Sequence, residues 1–145
     1  MGSNKKIVRN LEDVKINVKL KLAALWASVM FIYIYADIQT FFQTGIIEQL
    51  ITGEVIGIKI TQTFLLGSAV LMSIPSIMIF LSLTLKPKVN RLINIIISIL
   101  HIGLIIALQF MPAKVYYYYK YFQLIEILFH LLIVWYAWKW PQQED

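Results

Sequence analysis

Glu126 and His130 lie one helical turn apart inside an apolar stretch long enough to cross a bilayer. Side chains four apart share a helix face, so this carboxyl and this imidazole can exchange a proton or lean on one another. Glu at the centre of a membrane helix costs roughly 2 to 3 kcal/mol even on the lenient insertion scale. Such residues therefore face a bundle interior or a cavity, and they mark paths for protons, ions or ligands. Other apolar stretches carry a matching set: Tyr33 and Asp37 in the first, Ser73 in the second, His101 in the third. At about 1.5 Å of rise per residue, Asp37 and Glu126 fall roughly 8 to 10 Å below the outer edge of the hydrocarbon. Tyr33, Ser73, His101 and His130 come out nearer the midplane. Helical spacing adds Gln123 to the Glu126 and His130 face, groups Asn94 and Ser98 with His101, and groups Trp26 and Met30 with Tyr33 and Asp37.

Several chemistries use such a set. Low dielectric penalises isolated charge, so Asp37 and Glu126 are expected to share a proton or rely on a histidine, titrating as a coupled group. The first reading is a non-enzymatic bundle with a polar pocket for a proton or a small amphiphile, formed by Tyr33, Asp37, Ser73, His101, Glu126 and His130. That bundle can also be a homo-oligomer; the second reading is an accessory or assembly subunit, the partner of another membrane protein, in which these groups are interhelical glue worth about 0.6 kcal/mol per contact. The third is a haem protein ligated through His101 and His130, or a lipid-modifying enzyme using Asp37, Glu126 and a histidine as acid and base. No compact HxxxH or HExxH spacing suggests zinc, and no residue pattern identifies a substrate. The chain has no cysteine, which excludes disulfides and thiolate metal sites.

Four helices must position these groups. Of the 145 residues, 59% are hydrophobic and only 14% charged, with a mean hydropathy of +0.72, well outside the range of soluble domains. Continuous apolar runs at about 22–42, 61–85, 92–111 and 118–138 each approach the ~20 residues needed to span the hydrocarbon. The expected fold is an all-α, up-and-down bundle of four transmembrane helices over residues 22–140, preceded by an amphipathic cytoplasmic segment, 1–21, and followed by a short tail, 141–145. Residues 46–52 read as a small amphipathic cap on the outer side. Breaks fall at Gly45, Gly53 and Gly57, at Lys86-Pro87-Lys88, at Pro112 and at Pro141. Pro75, inside the second stretch, frees the carbonyl of Leu71, which Ser73 and Ser76 could help to satisfy. The pairs Ala24 and Ser28, Ala69 and Ser73, and Gly103 and Ala107 permit close helix contact.

The net charge of +5 belongs to topology, not to nucleic acid, for which no recognition module is present. Ten of the thirteen Lys and Arg residues flank the ends that share a side with both termini; only Lys59, Lys114 and Lys120 lie opposite. Excess positive charge marks the cytoplasmic face, which puts both termini there. Trp26, Trp135, Tyr136, Trp138 and Trp140 then form one interfacial belt, and Tyr116 to Tyr119 with Tyr121 and Phe122 the other.

The phrases Asn10-Leu11-Glu12-Asp13, Asn17 to Leu22, Tyr33-Ile34-Tyr35-Ala36-Asp37, Ile74 to Met78 through Lys86 to Arg91, and Ile133 to Pro141 resemble an uncharacterised family of small four-helix bacterial membrane proteins. The similarity covers nearly the whole chain. It implies the same bundle and a bacterial inner-membrane setting, and it assigns no activity. In architecture and hydropathy alone, the chain is also distantly similar to DoxX-like four-helix proteins. If both termini are cytoplasmic, green fluorescent protein fused after Asp145 will fluoresce in intact bacteria, whereas alkaline phosphatase at the same point will be inactive.

Overall fold

The computed structural model describes residues 14–110 and 116–141. In order along the chain are α1 (Val18–Thr40), α2 (Ile46–Ile51), β1 (Glu54–Val55), β2 (Ile58–Lys59), α3 (Gln62–Thr84), α4 (Pro87–Leu108) and α5 (Tyr117–Trp138). Helices α1, α3, α4 and α5 have 22 or 23 residues and are apolar enough to cross a membrane. At about 1.5 Å per residue each is just longer than the ~30 Å hydrocarbon core. The protein is a multi-pass membrane protein built as an up-and-down four-helix bundle.

Local chemistry sets the helix ends. Asn17 caps α1, its Oδ1 accepting the Lys19 backbone N–H at 2.9 Å. The span therefore begins at Val18, and 18–21 of the expected amphipathic segment belong to it. Val14–Asn17 form no helix or strand, and residues 1–13 lie outside the described residues. Thr61 caps α3 in the same way, its Oγ1 accepting from Phe64 N at 3.1 Å. Helix α4 starts at Pro87, five residues before the expected boundary. Proline suits the first helical position because it has no N–H to lose there and its φ is already helical. Val89, Asn90 and Arg91 are thus helical, not part of a turn. Pro112, Lys114 and nearly all of the tail lie outside the described residues.

At the end of the bundle away from the termini, α2 buries Ile46 and fills the expected capping position. A two-stranded antiparallel hairpin follows, with Glu54 opposite Lys59 and Val55 opposite Ile58, an element the periodicity did not predict. Its two turn residues, Ile56 and Gly57, both have positive φ, 50° and 78°. That is the geometry of a tight hairpin turn, comfortable for Gly and strained for a β-branched residue.

Helix α1 packs against α3 and α5, and α5 packs against α4, whereas of the four neighbouring pairs α3 and α4 touch least. At the end nearer the termini, Leu22, Trp26, Met78, Ile133 and Ala137 form the apolar core. Trp26 does not join the interfacial belt: it is 0% exposed, and its Nε1 donates to Asn94 Oδ1 at 2.7 Å. Its indole N–H needs a buried acceptor, and Asn94 provides one. Ala24, Ala69, Ser73, Gly103 and Ala107 are exposed and do not mediate close approach inside the bundle.

Asn94 ties three helices together. Its Oδ1 also accepts from Ser82 Oγ at 3.3 Å, and its Nδ2 donates to Asn90 Oδ1 at 2.6 Å and to the Asn90 carbonyl at 2.9 Å. Asn90 Nδ2 in turn donates to the Ser82 carbonyl at 2.6 Å. Every donor and acceptor of the Asn94 amide is used, the most a buried amide can achieve. Asn94→Leu, which strands three neighbours without partners, is expected to lower bundle stability by about 1–3 kcal/mol in a denaturing-detergent titration. Ser76→Ala, which removes only a 3.4 Å contact from Ser76 Oγ to Met30 Sδ, should fall within the scatter of wild type.

Candidate functional site

One face of α4 carries Asn90, Asn94, Ser98 and His101, all buried. The facing stripe of α5 carries Gln123, Glu126 and His130, also buried. Because both stripes follow helical spacing, the polar groups meet across the α4–α5 seam while the opposite faces remain apolar. The seam continues the Asn94 clamp outward. Trp26 stands between the two regions, its indole set edge-on to both imidazoles, 5.9 Å from His101 and 5.3 Å from His130 between ring centroids.

The two histidine rings contact each other, with centroids 5.1 Å apart and planes tilted by 33°. His101 Nδ1 lies 2.9 Å from the Ile97 carbonyl. A carbonyl only accepts, so Nδ1 carries the proton, and in the neutral ring Nε2 is left as a free acceptor. That Nε2, both ring nitrogens of His130 and the hydroxyl of Ser98 are buried with no hydrogen-bond partner among the described residues. His130 is 0% exposed. Its Nε2 stands 3.7 Å from Glu126 Oε1, too far for a direct bond and near enough for a bridging water or a small shift to link them.

Glu126 is held from α1: the Tyr33 hydroxyl donates to Glu126 Oε1. Further out, Gln109 Nε2 donates to Gln123 Oε1 at 2.6 Å, Gln43 Nε2 donates to the Tyr118 hydroxyl, and Thr40 Oγ1 lies 3.0 Å from that same hydroxyl. Tyr118 is thus a bridge between helix ends, not a simple interfacial anchor. Inside this ring lies a cavity of about 80 Å³, with Tyr33, Asp37, His101, Tyr119, Gln123 and Glu126 as its polar lining. Leu71 and Met72 of α3 and Leu104 and Leu108 of α4 complete the wall where those two helices pack least.

Of the six residues singled out in the sequence, Tyr33, Glu126, His101 and His130 form one contiguous cluster. Asp37 lines the same cavity from an exposed position and makes no direct hydrogen bond to Glu126. Ser73 is apart from the cluster: it is exposed, and its hydroxyl donates to the Val70 carbonyl at 2.7 Å, not to the carbonyl freed by Pro75. Ser76 likewise turns to Met30. Sequence reasoning missed Ser82, Asn90, Gln109 and Tyr119. Asn90 was recoverable, since it lies four residues before Asn94 once α4 is started at Pro87.

Two axial imidazoles must face each other across the plate of a porphyrin, and here the rings pack directly together. Among the described residues, no group of three or more His, Asp or Glu side chains converges as a metal site.

Fold and site together define a small helical membrane protein with a polar interior. The chain belongs to DUF6326, a family of unknown function, which it matches over residues 10–145. No curated protein and no solved structure matches it.

The contact between Tyr33 and Glu126 can be isolated by a double-mutant cycle of Tyr33→Phe and Glu126→Leu. The expected coupling is about 0.6 kcal/mol and no more than about 1.7 kcal/mol, the range for such bonds inside a membrane. Glu126→Gln, which keeps an acceptor for Tyr33, should cost less than Glu126→Leu, which leaves the hydroxyl unpaired.

Proposed function

We propose that this protein is a non-enzymatic protein of the bacterial inner membrane, with cytoplasmic termini, whose outer-half pocket takes up a proton through Glu126, His130 and His101. The observation that carries this reading is the set of unpartnered nitrogens on two buried imidazoles beside a carboxyl group that no lysine or arginine pairs with among the described residues. Leaving such groups unanswered costs about 1–3 kcal/mol each, which packing alone gives no reason to sustain. A proton or a bound water is the smallest species that satisfies them.

Size favours the proton over the amphiphile. A water needs about 10–15 Å³ of such space, whereas pockets for drug-sized ligands run to about 300–1,000 Å³. At about 80 Å³ the cavity admits a few waters and no complete amphiphile. Polarity favours binding over conduction. Inward of the histidines, the relay meets Trp26 and the Asn94 clamp, whose amides and indole hold their protons. The pocket then serves one side of the membrane, with Asp37 in a position to pass protons to Glu126 through Tyr33 and water.

The chain has only two histidines, so ¹⁵N-histidine labelling gives two assignable rings in liposomes. Over a titration that takes in the ordinary imidazole range and extends to either side of it, one ring is expected to change protonation, with the change displaced in Glu126→Gln and in Asp37→Asn. If both rings keep a single neutral tautomer throughout that range in wild type and variants, the proton reading fails. The polar groups then serve assembly alone, the role that the fully satisfied Asn94 clamp already exemplifies.

A further inference from the structure

At the end of the bundle nearest the termini lies a second, wider recess of about 1,010 Å³, formed by the segment before α1 and the adjacent ends of α1, α4 and α5. Five cations line it: Lys15, Lys21, Lys88, Arg91 and Lys139. No Asp or Glu lies among its described lining residues. The acids in the described part of the chain, Asp37, Glu48, Glu54 and Glu126, lie on α1, α2, β1 and α5, outside this recess. Three of the cations rest on aromatic rings in place of carboxylates: Lys21 over Tyr136 at 5.1 Å, Arg91 over Trp138 at 5.4 Å and Lys139 over Trp135 at 4.0 Å. Stacking orients a cation without neutralising it, so five like charges share one concave space with no carboxylate among its described lining residues.

From this we infer that the recess is a binding site for the phosphate-bearing headgroup of an anionic lipid. Topology alone asks for basic residues near the helix ends; it does not ask that four separate segments bring them round one cavity. A lipid fits better than free phosphate because Trp135, Tyr136 and Trp140 line the same space. Tryptophan and tyrosine sit at headgroup depth, where their rings meet the glycerol and upper acyl region while the cations reach the phosphate. Arg91 is suited to grip two phosphate oxygens, with the lysines as point charges around it.

The test uses the full chain in detergent, where direction of insertion has no influence, with short-chain phosphatidylglycerol, short-chain phosphatidylcholine and inorganic phosphate as separate probes. Binding is read from tryptophan fluorescence and from lipid adducts in native mass spectrometry. Phosphatidylglycerol is expected to bind in preference to phosphatidylcholine, with Lys88→Gln plus Arg91→Gln weakening it about thirtyfold. Lys59→Gln plus Lys120→Gln, on the opposite side, should leave it unchanged. Single Lys139→Gln and added salt should each weaken it in protein that is otherwise wild type. Equal binding of the two lipids overturns the proposal, as does competition by inorganic phosphate at the same concentration. Removal of the acids Glu144 and Asp145, or Glu12→Gln with Asp13→Asn, tests occupation of the recess by the chain itself. Lipid preference that emerges only in those variants also overturns it.

Discussion

The structure depends on one constraint: in hydrocarbon there is no water to satisfy a buried polar group, so each must be answered within the protein. Asn94 meets the constraint fully. Its four bonds draw in Trp26 of α1, Ser82 of α3 and Asn90 one turn back on its own helix, fixing the rotation of three helices about their axes. Hydrophobic matching could not do this, because lipid tails solvate leucine as well as another leucine does. Rotation fixed at the clamp then carries along each helix. With Asn90 and Asn94 inward, Ser98 and His101 must follow, as Glu126 and His130 follow from Ile133 and Ala137 on α5.

The two halves of the bundle answer the constraint differently. Around the clamp, bonds run among three helices and the accompanying Leu22, Met78 and Ile133 exclude space. Beyond Trp26, the polar links become pairwise, Tyr33 to Glu126 and Gln109 to Gln123, and α3 contributes only apolar wall. A cavity survives where α3 and α4 fail to close on one another. Polar residues are therefore present in both halves, but among the described residues buried polar atoms lack partners from the level of Trp26 towards the end away from the termini, and not around the clamp. That difference separates packing from candidate chemistry more sharply than residue type does.

Much of this organisation was legible in the chain. Length and hydropathy revealed four spans, and four-residue spacing placed Asn94, Ser98 and His101 on one face and Gln123, Glu126 and His130 on another. Depth counting put the histidines at one level, where their rings do meet. It could not supply the rotation and vertical offset between helices. Tyr33 therefore emerged level with the histidines, although its hydroxyl reaches Glu126, and Asp37 was paired with Glu126 although it only shares a cavity with it. Trp26 was read from its position near a helix end, where tryptophan often anchors; its partner Asn94, 68 residues away, is visible only in three dimensions. Ser73 shows the same difficulty in reverse. Its depth was plausible, but its helix face turns outward.

The isolation of Glu126 constrains what the outer pocket can do. Among the described residues its potential cationic neighbours are His130 and, on the same cavity, His101, each neutral unless it takes a proton. An unpaired carboxylate beside a neutral imidazole would leave one bare charge in low dielectric, and a protonated imidazole beside a carboxylic acid would leave another. The two arrangements with no net charge are a carboxylic acid with a neutral histidine and a carboxylate with a protonated one, and both hold a single shared proton. Interconverting them moves that proton over the 3.7 Å between Glu126 and His130 without changing the net charge of the site. Asp37 lines the same cavity, nearer the end of α1, and adds a second carboxyl to it.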